Sequence, residues 1–270
     1  MKQMRPKIIH RHLPQPGFSL VELTIVMLIV SILLAGVLMP LSMQMEVRRY
    51  ADTKKTMDMI NEALIGFVLV NGRLPCPADP TIADGTANAG VERPTCATAA
   101  TQFGVIPWVT LNVPETDEWG GRFTYRVSSA FADTYPSLTW GCTPTVSPVS
   151  PMSFALCAVG DMQVRSRTNL KVVYNMTNAE VPAVFVSHGK NSYGAYRPQG
   201  GTPPAVPAAN VDEATNAGGG AVFYSREKTD VSSSCSDAPG AGPMCEFDDL
   251  VAFVPLAMLM NRMVISGKLP

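Results

Sequence analysis

The chain has no C-x-x-C pair, no G-x-x-x-x-G-K-[ST] loop, no H-E-x-x-H and no G-x-S-x-G elbow. The usual signatures of zinc ribbons, nucleotide-binding loops, zinc hydrolases and serine hydrolases are therefore missing. Histidine is scarce, with three in all and only His188 beyond the amino-terminal segment. Charge is scarce too: 16% of residues are charged, and 21 Lys and Arg stand against 22 Asp and Glu. That near-neutral balance gives no global electrostatic case for nucleic-acid binding. No internal repeat at solenoid spacing is visible. What is plentiful is proline (23) and glycine (21), which suits a loop-rich head better than a helical bundle.

The amino-terminal segment lacks acids but carries Lys2, Arg5, Lys7 and Arg11. After Gly17 an apolar run extends from Phe18 to Met39 without Lys, Arg or His, and Glu22 is its one acid. A lone carboxylate in a membrane helix costs about 2.5–3.5 kcal/mol at the centre and less near an end, so such a residue normally has a partner and a task. A cut between Gly17 and Phe18 would create an α-amino group four residues before Glu22. A removable secretory signal fits worse, because the apolar run is longer than its h-region of roughly 7–15 residues. A plain signal anchor shares the hydropathy but does not account for Glu22.

Basic leader, Gly17, Phe18 and Ser19-Leu20-Val21-Glu22 before an apolar helix resemble a type IV prepilin, the class of pilins and type II secretion pseudopilins. The resemblance implies cleavage after Gly17 by a prepilin peptidase and methylation of the Phe18 amine. It implies docking through Glu22 against the terminal amine of a neighbouring subunit. The partners it implies are other pilins or pseudopilins and an inner-membrane assembly platform. The fold implied is α+β and type IV pilin-like, a long amino-terminal helix on an antiparallel sheet head with disulfide-pinned loops.

The expected organisation is a cytoplasmic leader over 1–17, a helix over 18–71 and a periplasmic or extracellular head over 72–270. Within the helix, 18–39 is expected to span the inner membrane once and 40–71 to be amphipathic. The basic leader keeps the amino terminus cytoplasmic. Gly36 and Pro40 weaken the helix locally and are candidates for loosening it during extraction. Val47, Tyr50, Met57, Ile60, Leu64, Phe67 and Val68 form an apolar stripe that predicts packing on the head, and Asn71-Gly72 ends the helix.

All six cysteines lie in the head: Cys76, Cys96, Cys142, Cys157, Cys235 and Cys245. In an exported domain an even count suggests disulfides. Six cysteines allow fifteen pairings. The sequential pairing is favoured because each bridge closes a loop rich in Pro, Gly, Ala or Thr. A zinc site is the competitor, but the head has only one histidine to add.

Asn71-Gly72-Arg73-Leu74-Pro75, followed by Asp117-Glu118-Trp119-Gly120 before an aromatic strand, is similar to the head of major type II secretion pseudopilins. That similarity implies a loop able to hold structural calcium, with Asp117 the candidate ligand and Glu118 a weaker one. The competing reading is that Asp117 caps the turn. No other cofactor is expected. Strands are expected at Phe123–Val127, Phe154–Val159, Gln163–Arg167, Leu170–Tyr174, Ala183–Ser187, Ala221–Ser225 and Leu250–Val254. Met258–Ile265 reads as a helix or a final strand. Pro198 to Gly220 reads as an exposed, mobile insertion. Asp248-Asp249 is expected to start the element at Leu250.

Ser187 and His188 are tempting as nucleophile and base, but neighbours on a strand point to opposite faces. His188-Gly189-Lys190-Asn191 reads as a turn. Arg122, Arg126, Arg165, Arg167 and Lys171 are the candidates for a basic patch that could take DNA. No enzymatic activity is expected. The function expected is that of a minor pilin or pseudopilin. The alternative is a membrane-anchored periplasmic binding or adhesion domain, for a surface, protein or DNA, that does not polymerise.

Overall fold

The computed structural model describes residues 17–134, 142–230, 232–240 and 242–269, the side chains of 35–42 excepted. The basic leader residues lie outside it, as do the side chains of Pro40 and the surroundings of Gly36. The chain divides into two compact units, Met1–Arg48 and Arg49–Pro270. Helix α1 (Leu20–Asn71) contributes to both.

In the first unit α1 is helical throughout, including positions 36 and 40. Its described apolar side chains from Leu20 to Leu34 are exposed. Among the described residues no helix is long and apolar enough to cross a membrane.

In the second unit α1 packs on the head. Met57, Ile60, Leu64 and Val68 recur at three- and four-residue steps and are buried. Val47 and Tyr50 continue that spacing in sequence but are exposed, so the buried stripe begins later than expected. Asn71 ends the helix, and Gly72 follows at φ 72°. A Cβ there would run into the Pro151 carbonyl, so both the positive φ and the close approach require glycine.

The helix lies on a four-stranded antiparallel sheet ordered β1 (Phe103–Val105), β2 (Thr124–Val127), β5 (Ala183–Ser187), β7 (Leu250–Val254). Strand alternation explains the core. Phe123, Tyr125 and Val127 share one core with the helix residues, together with Phe185 and Val254. Val184 and Val186, on the other face of β5, enter a second core with Met162, Val164 and Phe223. That second core belongs to a smaller sheet, ordered β4 (Val173–Asn175), β3 (Gln163–Arg167), β6 (Val222–Tyr224), in which β3 and β6 run parallel. The central strand is thus covered on both faces, which is why 181–186 reads as nearly continuous apolar sequence. Helices α2 (Trp108–Leu111), α3 (Ser129–Ala132), α4 (Val211–Ala217) and α5 (Leu256–Ile265) complete the fold.

The α+β class and the long amino-terminal helix stand as expected, although α1 begins at Leu20 rather than at residue 18, and β3, β5 and β7 have the expected bounds. Several expectations need correction. Phe154–Val159 is not a strand: Ala158 N–H closes a turn on the Ala155 carbonyl, and Cys157 is bonded to Cys142. The strand expected at Leu170–Tyr174 begins at Val173, because Thr168–Val172 is a tight turn with Lys171 at φ 62°. Of the two readings of the terminal segment the helix stands, started by Pro255 and seated by Leu259 and Met263. The Pro198–Gly220 insertion is not merely exposed: it contains α4, which buries Asp212, Glu213 and Asn216.

The disulfides join Cys76 to Cys96, Cys142 to Cys157 and Cys235 to Cys245. The loop closed by the first is also held by Arg73, whose guanidinium forms a two-bond fork with Glu92 at 2.8 and 3.0 Å.

Candidate functional site

Gly17, Phe18 and Ser19 precede α1 and are not helical, and Phe18 is 86% exposed. Ser19 is the residue at which the helix starts. Its hydroxyl accepts the Glu22 backbone N–H at 3.1 Å. The Glu22 carboxylate in turn accepts the Ser19 N–H at 3.1 Å. This reciprocal capping box satisfies two of the N–H groups that a helix start leaves without partners. It also puts the carboxylate in the first turn, where the helix dipole favours negative charge. Thr24 and Ser31 donate their hydroxyls back to the carbonyls of Val21 and Met27. Their polarity is spent within the helix.

In the head, the structure separates Ser187 from His188 as strand alternation requires. Ser187 Oγ donates to Asp117 Oδ2 at 2.6 Å. His188 places Nδ1 3.2 Å from Asp249 Oδ1 and Nε2 3.0 Å from Thr124 Oγ1. The Asp249–His188–Thr124 chain has the outline of an orienter, a base and a hydroxyl. His188 and Thr124 are fully buried, however, and the chain ties β2 to β5 and β7.

Asp117 takes the turn-capping role. Its Oδ1 accepts from the N–H groups of Trp119 at 3.0 Å and Gly121 at 2.9 Å. Burial pushes its carboxyl above the usual carboxylate range, against the pull of Ser187 and the two backbone donors. Oxygens already surrounded by donors offer little to calcium, which wants six to eight lone-pair ligands. Glu118 is exposed and Glu115 pairs with Arg122 at 2.8 Å.

Glu213, Asp248 and Asp249 are the carboxylates the fold does bring together, with oxygens within 4.8 Å of one another. This grouping could hold a cation, and sequence spacing does not reveal it because Glu213 arrives on α4 from the insertion. Glu213 accepts from the side-chain amides of Asn191 at 3.0 Å and Asn210 at 2.7 Å, and from the Asp248 N–H at 3.0 Å. Asp249 accepts from Asn216 at 2.7 Å. Asp248 Oδ2 accepts the N–H groups of Lys190 and Asn191, both at 2.9 Å. The Asp248-Asp249 pair therefore anchors the 188–191 turn and α4 rather than merely starting β7.

Burial, then the charges of Asp249 and Asp248, raise Glu213 to about 8. Burial is also the main cause raising Asp248 to about 6. A carboxyl with a raised folded pKa contributes stability fully below its unfolded pKa and loses it as pH climbs through the folded value. The melting temperature is therefore expected to fall from about pH 4 to about pH 8, between the ordinary carboxylate values and the raised ones. Glu213→Gln, which stays neutral, is expected to flatten the upper part of that fall. An equally steep fall in Glu213→Gln would assign the loss to other groups.

The five candidate basic residues do not form a patch. Arg122 is fully buried against Glu115 and Trp108, Arg126 pairs with Asp161 at 2.8 Å, and Arg167 pairs with Asp212 at 2.7 Å. Arg165 Nε donates to Gln163 and Lys171 Nζ to the Gly240 carbonyl. Three of the five charges are thus spent on acids of the head.

A family model described as the prokaryotic N-terminal methylation motif matches residues 14–38. No curated protein and no solved structure matches the chain.

Proposed function

We propose that this type IV prepilin-like protein is a minor pilin or pseudopilin, a structural subunit of a type IV pilus or a type II secretion pseudopilus. Residues 1–17 are its leader, 18–39 its single inner-membrane span, 40–71 the amphipathic half of its helix and 72–270 its periplasmic head. A prepilin peptidase cuts after Gly17 and methylates the Phe18 amine. Glu22 then docks against the amine of a neighbouring subunit, where the low dielectric makes a charge pair much stronger than in water. Gly36 and Pro40 let the helix loosen as an assembly platform lifts the subunit from the membrane.

The observation that carries this reading is the match of the methylation motif over 14–38, the segment that contains Gly17, Phe18 and Glu22. The capped helix start supports it further, because the Gly17–Phe18 bond lies outside the helix, in backbone a peptidase can engage. A large head carrying long loops limits close helical stacking, and this favours a low-copy subunit.

The test is the intact mass of the protein recovered from membranes of its native host. The expected mass is that of a chain beginning at Phe18 with one added methyl and three disulfides. An intact leader beside an active peptidase would overturn the reading and favour a periplasmic binding or adhesion domain that stays anchored.

A further inference from the structure

The head holds a groove of about 250 Å³ between the β3–β4 turn and the segment that follows β6. One wall carries Ser166, Asn169 and Tyr174, the other Glu227 and Thr229, with Arg167 at the floor. Register sets Ser166 opposite Tyr174, so their side chains share one face of the strand pair. The tyrosine is half-exposed. Floor and second wall are fixed in advance. Arg167 and Arg226 share Asp212, and Arg226 Nη1 donates to Thr229 Oγ1 at 2.8 Å. A groove held in this way loses little freedom on binding.

Polar groups are left over in it. Ser166 is 6% exposed and Arg167 9%. Among the described residues no hydrogen bond engages the Ser166 hydroxyl, and Arg167 commits only Nε and Nη2, both to Asp212. Groups buried this deeply are normally hydrogen-bonded. Nearer to solvent, the Asn169 amide, the Tyr174 hydroxyl and the Glu227 carboxylate also have no partner among the described residues.

Chemistry narrows the ligand. Both guanidiniums already face acids, and Glu227 adds a carboxylate at the rim. A phosphate or carboxylate therefore gains little there and meets a like charge. A purely apolar ligand would cover the free polar groups without bonding them. A hydroxyl-rich ring suits them all. Its oxygens accept from Ser166, Arg167 and Asn169, its hydroxyls donate to Glu227, and its C–H face covers the Tyr174 ring. We propose that this groove binds a neutral sugar, as a single pyranose or as the end of a glycan chain. The site belongs to the head and holds whether or not the chain enters a filament.

The experiment titrates the full-length protein, in a detergent without a sugar headgroup, with glucose, galactose, mannose and N-acetylglucosamine. Binding is read by ligand-observed NMR, with inorganic phosphate as competitor. At least one sugar is expected to saturate the protein, and phosphate is expected not to displace it. Glu227→Ala is expected to weaken binding about ten-fold, the loss of a hydrogen bond to a charged group. Tyr174→Ala and Ser166→Ala are each expected to weaken it about five-fold. The urea midpoint checks that the variants are folded; Glu227 is exposed, so its variant decides should the other two unfold. Absence of saturable binding by all four sugars overturns the proposal. Binding that the folded variants leave unchanged places the sugar elsewhere and also overturns it. Displacement by phosphate makes the groove an anion site and overturns it as well. None of these outcomes touches cleavage after Gly17, which the intact mass reads separately.

Discussion

Glu22→Ala is expected to be cut after Gly17 as wild type and then to accumulate in the membrane, with its filament content reduced about ten-fold or more. The scale comes from a hydrogen bond to a charged group, about 1.5–3 kcal/mol, where a factor of ten corresponds to about 1.4 kcal/mol. Glu22 sits in the first turn of α1, and among the described residues its carboxylate reaches the backbone N–H of Ser19. Removing it costs the helix one reciprocal bond, while the Ser19 hydroxyl keeps the Glu22 N–H. The helix start should therefore survive. What is lost is the acceptor for a neighbouring amine. Glu22→Asp, with a shorter reach, should recover part of the content, and Glu22→Gln should recover little. Filaments containing Glu22→Ala at wild-type level would end the docking role.

The largest stability effect is expected from Asp212→Ala in α4. Asp212 accepts from Arg167 Nε and Nη2 at 2.7–3.0 Å and pairs with Arg226 Nε at 2.9 Å. All three side chains are almost completely buried. The guanidinium planes of Arg167 and Arg226 stack on Tyr224 and Phe247. Asp237 completes the group by accepting from Arg226 and from the Cys245 and Asp212 N–H groups. Deleting Asp212 leaves two buried cations with one carboxylate. Breaking a buried pair in this way costs about 3–5 kcal/mol. The full-length chain in detergent should lose that much unfolding free energy in a urea titration, read as a lower midpoint at an unchanged slope. Arg226 is the sensitive partner, since burial already pulls its pKa down. A change under about 1 kcal/mol would mean that water replaces the lost carboxylate and that α4 is not pinned by it.

Both effects concern charged residues, yet their legibility differs. Glu22 stands out because it is the one charged residue between Phe18 and Met39, so local context alone marks it. Asp212 is unremarkable in sequence: it lies in a Gly-, Pro- and Ala-rich insertion that reads as an exposed loop. Its partners come from β3 and from residue 226, 45 and 14 positions away in the numbering. The same holds for Glu213, which meets Asp248 and Asp249 across 35 or more residues. Arg122, Arg126 and Arg167 are candidates for a surface patch in sequence alone, because strand spacing cannot say whether an acid waits opposite.

Local signals were enough for the amino-terminal motif, the end of α1, and the strands β3, β5 and β7. Their information is carried by neighbours one to four residues apart: a helical stripe, alternation, an Asn-Gly stop. The sequential disulfides follow similar logic, since each closes a short loop. Tertiary structure alone decided that a second sheet covers the far face of β5, that the insertion folds back as α4, and that Asp117 caps a turn while Glu213, Asp248 and Asp249 gather elsewhere. The physical reason is common to these. A charge is tolerated inside a protein only when a partner or donor reaches it, and such partners are chosen by distance in space, which chain spacing does not encode.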